Sequence, residues 1–99
     1  MVPPRLSPKE TLVLDLLIER GEMYGLQLVS ASRRRLKRGT VYVTLGRMED
    51  KGYVTSRQMP PAPEAGGLPR RLYEATPFGV RVHGAWNAAA AHLRLRPAL

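Results

Sequence analysis

No cysteine occurs among the 99 residues, which excludes a disulfide framework and any thiolate metal site. Only two histidines are present, His83 and His92. Nine positions apart on one helix they fall on opposite faces, so they cannot share a metal. No uninterrupted apolar run reaches the roughly 18 residues of a membrane-spanning helix. The opening Met-Val-Pro-Pro-Arg-Leu lacks the apolar core of a signal peptide. A cytoplasmic protein with no membrane partner is the expectation. No nucleophile–base pair, glycine-rich phosphate loop or carboxylate cluster stands out, so neither an enzyme, a metal nor a cofactor is expected.

Acidic residues are also scarce: 8 against 16 basic ones, for a net charge of +8. The imbalance is local. Residues 1–32 sum to −1, residues 33–71 to +7 and residues 72–99 to +2. A positive field concentrated in the middle third implies a polyanionic partner, whereas a solubilising surface would spread its charge. The densest stretch is Arg33-Arg34-Arg35-Leu36-Lys37-Arg38, with five cations in six residues.

At this length a single domain is expected over 1–99. Ser7-Pro8-Lys9-Glu10 has the form of a capping box with proline at the first helical position. It predicts a helix to about Arg20 with an apolar stripe of Leu12, Val13, Leu16 and Leu17, ended by Gly21 as a left-handed cap. A second helix is expected from Tyr24 to about Arg34, burying Leu26, Leu28 and Val29 to different extents, with the arginines at its C-terminus complementing the helix dipole. A third starts near Thr40. At about 100° per residue, Val41, Leu45 and Met48 share the buried face. Thr40, Thr44, Arg47 and Lys51 share one exposed flank, and Tyr42 and Glu49 line the other. Hydroxyls and cations on an exposed flank suit phosphate and base-edge contacts.

Gly52 closes that helix, and Tyr53 to Met59 has the β-branched and aromatic character of a strand. The stretch 60–69, rich in proline and glycine, can continue neither a ladder nor a helix. Arg70 to Ala75 is the returning strand of a hairpin whose cations are Arg57, Arg70 and Arg71. Thr76-Pro77 opens a last helix to about Leu95. Phe78, Val82, Ala85, Trp86, Ala89 and Leu93 recur there at steps of three and four, and Ala88, Ala91 and Leu95 add a second apolar strip. That is more apolar surface than one small domain covers, which points to a subunit interface; the alternative is simple packing across the first helix, and both can hold at once. The expected fold is mainly α with a β-hairpin: a winged helix-turn-helix over 7–76 plus a C-terminal dimerisation helix over 77–95.

Three stretches resemble the PadR family of transcriptional regulators. Met23-Tyr24-Gly25-Leu26-Gln27-Leu28 is similar to the family's tyrosine–glycine opening of the second helix. Gly39-Thr40-Val41-Tyr42, continuing through Leu45, Arg47, Met48, Glu49 and Gly52, is similar to its recognition helix. Gly67-Leu68-Pro69-Arg70-Arg71-Leu72-Tyr73, with Thr76 and Gly79, resembles its wing and the threonine-x-x-glycine that follows. Val43 departs from the family's usual proline, Leu68 replaces a commonly basic wing residue, and Gly46 loosens the recognition helix by about 1 kcal/mol relative to alanine.

The resemblance implies a sequence-specific double-stranded DNA-binding regulator, a repressor by family default, that dimerises through its last and first helices. It also adds a small aromatic effector near the dimer helices, where Trp86 lies. The expected DNA-contacting residues are Arg33, Arg34, Arg35, Lys37, Arg38, Thr40, Tyr42, Thr44, Arg47, Lys51, Arg57, Arg70 and Arg71. The expected dimer contacts are Phe78, Val82, Trp86, Ala89 and Leu93. The alternative is a winged-helix adaptor that contacts proteins without reading DNA.

Overall fold

A computed structural model of the chain describes residues 5–61 and 70–95, with side chains through Ala91. The glycine–proline stretch expected to form the hairpin tip therefore lies outside the described residues from 62 to 69, as do the Leu93 and His92 side chains. The first helix, α1 (Pro8–Arg20), starts at the expected capping box. The Glu10 amide donates to Ser7 Oγ at 3.1 Å, and the Ser7 amide donates back to Glu10 Oε1 at 2.9 Å. Val13, Leu14, Leu16 and Leu17 are buried, while Leu12 is only partly covered. Gly21 does take a positive φ of 83°, but with ψ −153° it leaves the helix in an extended direction instead of as a left-handed turn.

That direction delivers a short strand absent from the sequence-based expectation, β1 (Met23–Tyr24). It pairs antiparallel with β3 (Arg70–Ala75), placing Met23 opposite Tyr73 and Tyr24 opposite Leu72. β3 also pairs with β2 (Val54–Met59), from Val54↔Ala75 to Met59↔Arg70. The sheet order is β1-β3-β2, so the expected hairpin is the larger part of a three-stranded sheet.

The second helix, α2 (Gly25–Ala31), is shorter than expected. It stops because the buried Ser32 hydroxyl replaces the next helical turn. Ser32 Oγ donates to the Val29 carbonyl at 2.8 Å and accepts from the Leu36 amide at 3.0 Å. Arg33 and Arg34 then take left-handed φ values of 55° and 65°, which costs roughly 1–2 kcal/mol per non-glycine residue. The arginines thus lie beyond the helix instead of forming its last turn. This turn drops Leu36 into the core at 1% exposure and leads to α3 (Val41–Asp50), which buries Val41, Leu45 and Met48 as expected.

The last helix, α4 (Pro77–Leu95), begins with a tight joint. Thr76 Oγ1 accepts from the Gly79 amide at 2.9 Å and donates to the Gly52 carbonyl at 2.5 Å. A Cβ on Gly79 would lie 2.1 Å from the Tyr53 carbonyl oxygen, so only glycine lets α4 approach β2 this closely. The threonine-x-x-glycine spacing therefore expresses one contact between the end of α3, the start of β2 and the start of α4.

Candidate nucleic-acid interface

The outward face of α3 is built from its first two turns. Thr40 precedes the helix with φ −124° and ψ −12°, and its hydroxyl makes no capping bond. Thr40, Val43 and Arg47 are exposed and Thr44 is half-buried. Lys37 and Arg38, both exposed, lie just before this face, and the Lys37 carbonyl accepts from the Thr40 and Val41 amides. Tyr42 sits at the edge. Its ring covers Gly25 so closely that a Cβ there would come within 2.6 Å of Tyr42 Cε1. The Tyr24-Gly25 and Thr40-Val41-Tyr42 stretches are thus one packing unit holding α3 on α2, with 49% of Tyr42 still exposed.

Lys51 leaves the expected flank. It is the C-cap of α3, and its Nζ donates to Glu10 Oε2 at 2.8 Å, joining α3 to α1. The Glu10 side chain is only 7% exposed, and a buried carboxylate needs a partner, so Lys51 belongs to the tertiary structure. Burial raises the Glu10 carboxyl pKa, but the Lys51 ammonium together with the Ser7 amide and hydroxyl outweighs that and holds it below its ordinary value.

The basic run also divides. Arg33 lines an open cleft with Arg20, Glu22, Gln27 and Ser30. Arg35 instead lines a groove of about 400 Å³ between α1 and α4, beside Leu12, Asp15, Trp86 and Asn87. The left-handed turn at Arg33 and Arg34 sends neighbouring side chains in different directions, so Arg35 does not join the α3 face. Arg33, Arg34, Lys37 and Arg38 remain exposed candidates.

The hairpin cations fall on two sides of the sheet, because side chains alternate along a strand. Arg71 shares a face with Ser56 and Tyr73. Its Nε donates to Ser56 Oγ at 3.0 Å, and Ser56 Oγ donates to Glu49 Oε2 of α3 at 2.7 Å. Arg57 and Arg70 occupy the other face. Arg57 is 2.8 Å from Glu22 Oε2, and the Arg70 guanidinium lies 4.4 Å from the Tyr24 ring centroid. Both are held against the β1 side. Tyr73 is buried between these layers, and burial, followed by the nearby Glu49 charge, raises its pKa.

On α4 the expected interface residues point mostly inward. Val82 is 4% exposed within the protomer's own core, and Trp86 packs against that core. Ala89 is also partly covered. The helix uses this stripe to cover α1, so Val82 is unavailable to a partner. His83, considered from the sequence only as a metal ligand, instead meets Asp15 of α1 at 2.5 Å. The only signal for this contact was an imidazole three positions before Trp86 on the same helix. Phe78, Val80, Ala85 and Ala88 are exposed instead. Among the described residues no cluster of metal-ligating side chains occurs, and no helix is long and apolar enough to cross a membrane.

The fold recurs in solved transcriptional regulators. A PadR family transcription regulator from Clostridium difficile R20291 is 25% identical with TM-score 0.72, the match covering 89% of this chain and 92% of that one. Bacillus subtilis PadR, solved in complex with operator DNA, is 22% identical with TM-score 0.71 over 84% of this chain and 48% of its own. The PcaV regulator from Streptomyces coelicolor, solved with its natural ligand, is 21% identical with TM-score 0.73 over 95% of this chain, which spans 62% of the PcaV chain. No curated protein matches the chain in sequence. Residues 13–85, from α1 into α4, match the sequence model of the PadR-like family of transcriptional regulators, and the chain belongs to that family.

Proposed function

We propose that this regulator binds double-stranded DNA sequence-specifically as a homodimer and represses transcription. The observation that carries this reading is the outward face of α3. It is polar and cationic at Thr40 and Arg47, has an uncommitted hydroxyl at its N-terminal end, and is approached by Lys37 and Arg38. A helix offering its first turns in this way fits the major groove of B-DNA. Arg71 lies on the hairpin face connected to α3, where it reaches the flanking phosphate backbone. The operator-bound state of the Bacillus subtilis relative supports the same use of the shared fold.

The dimer forms on the side of α4 facing away from α1. Val80, Ala85 and Ala88 are exposed there, and Phe78 adds an exposed ring at the helix start. Two protomers related by a twofold axis present two α3 helices, so the operator is an inverted repeat with half-sites about one helical turn apart. A small aromatic effector has a place in the groove beside Trp86, whose Nε1 is buried without a hydrogen-bond partner among the described residues. The natural ligand held by the PcaV neighbour supports a ligand-responsive version of this fold.

Titration of a random and a selected duplex at several salt concentrations tests the DNA reading. Log affinity should fall with log salt by roughly 0.9 for each phosphate neutralised. A flat response, or no affinity at all, would leave the protein-only adaptor standing.

A further inference from the structure

An exposed apolar side chain stands at the foremost point of α3. Val43 is 54% exposed. At about 100° per residue it lies nearly opposite the stripe of Val41, Leu45 and Met48 that faces the core. Gly39 and Gly46 share its outer surface and add no side chains, and a Cβ at either position would meet nothing within 4 Å. Val43 is therefore an exposed apolar side chain on the outer surface of the N-terminal half of the helix, with Thr40 and Arg47 beside it. Asp50 occupies the same outer stripe at the C-terminal end and is also exposed. Its charge repels phosphate, so the N-terminal half enters the groove.

Val43 has no hydrogen-bonding group, so it cannot recognise a base edge by donor and acceptor pattern. The apolar feature of the major groove is the thymine 5-methyl group. Resting on the DNA-binding reading above, we propose that Val43 packs against that methyl and that each operator half-site carries a thymine facing the first turn of α3. Arg47, one turn further along, then sets the register of the contact from its polar side. A longer polar residue at position 43 would hold the helix away from the groove floor, and the two glycines leave room for close approach.

The test begins with an operator selected from random duplexes by the full chain. Each thymine of one half-site is then replaced singly by deoxyuridine, which removes the methyl and preserves base pairing. One position should lose about fourfold in affinity, the worth of one buried methyl at about 0.8 kcal/mol. That loss should shrink in Val43→Ala, whose shorter side chain withdraws from the methyl and whose fold is checked by its thermal melt. Sensitivity to uracil that persists unchanged in Val43→Ala would assign the methyl to another residue and overturn the proposal. Indifference to uracil at every position would overturn it with the wild-type protein alone. Failure to select or bind any duplex would instead remove the DNA-binding reading beneath it.

Discussion

Glu10 and Lys51 tie the start of α1 to the end of α3 through one partly exposed ion pair. A hydrogen bond to a charged group contributes about 1.5–3 kcal/mol, and the 46% exposure of Lys51 reduces this through solvent screening. Lys51→Ala should cost roughly 1–2 kcal/mol at neutral pH on that reasoning. Because the folded-state pKa of Glu10 lies below its ordinary value of 4.5, the stabilisation is present above that value and is lost as pH falls through the folded one. Denaturant melts should show the gap between wild type and Lys51→Ala closing below pH 4.5; a gap that persisted there would mean the ammonium acts elsewhere. Two glycines make opposite predictions. Gly79→Ala drives a Cβ into the Tyr53 carbonyl and should destabilise by about 1–3 kcal/mol or more. Gly46→Ala meets open space and should stabilise by up to about 1 kcal/mol. Thermal melts of the two variants moving in the same direction would contradict the packing at the α4 joint.

At the scale of elements, the proposed DNA-binding reading gives α3 and the hairpin separate parts in recognition. Arg47 stands where a guanidinium can meet a guanine edge in bidentate fashion, so Arg47→Ala should lower discrimination between operator and random duplex by about 1–3 kcal/mol. Arg71→Ala should weaken both duplexes nearly equally and reduce the salt slope by about one. Arg57→Ala should leave that slope almost unchanged, since Arg57 is paired with Glu22 on the opposite face of the sheet. Salt titrations of the three variants check this; an equal loss of slope from Arg57→Ala and Arg71→Ala would mean that both sides of the hairpin meet DNA. The alternation was available in the sequence, because Arg70 and Arg71 are adjacent and must point to opposite sides of any strand. The chain of hydrogen bonds from Arg71 through Ser56 to Glu49 marks the side that faces α3, while Glu22 and the Tyr24 ring of β1 hold Arg57 and Arg70 on the other. Two residues are too few to show a strand by pattern, so that strand was not legible.

At the scale of the molecule, α4 has a covered side and an exposed one. One side, including Val82 and Trp86, covers α1 and completes the protomer. The other, with Val80, Ala85 and Ala88 exposed, is the surface assigned to the twofold partner. Ala88→Glu should therefore shift sedimentation toward monomer while leaving the melt of the protomer nearly unchanged, because a buried unpaired carboxylate opposes association. Val82→Ala should instead lower the protomer's stability by roughly 1.5–3 kcal/mol, the worth of a buried valine side chain. A wild-type protein that sediments as a monomer at tens of micromolar would end the dimer proposal.

The sequence alone determined the parts whose physics is local. The Ser7–Glu10 capping box set the start of α1, Thr76-Pro77 set the start of α4, and the spacing of Val41, Leu45 and Met48 set the buried face of α3. Each signal lies within a few residues of its consequence. Tertiary structure decided wherever partners are distant in the chain. Periodicity showed that α4 has an apolar stripe, but α1 determined that this stripe faces inward. Charge counting showed a basic middle third, but Glu10 drew Lys51 away, Glu22 paired with Arg57, and the left-handed turn turned Arg35 toward Trp86. Formal charge is a property of composition, whereas its direction depends on which buried or neighbouring group each cation meets, and only the folded chain fixes that.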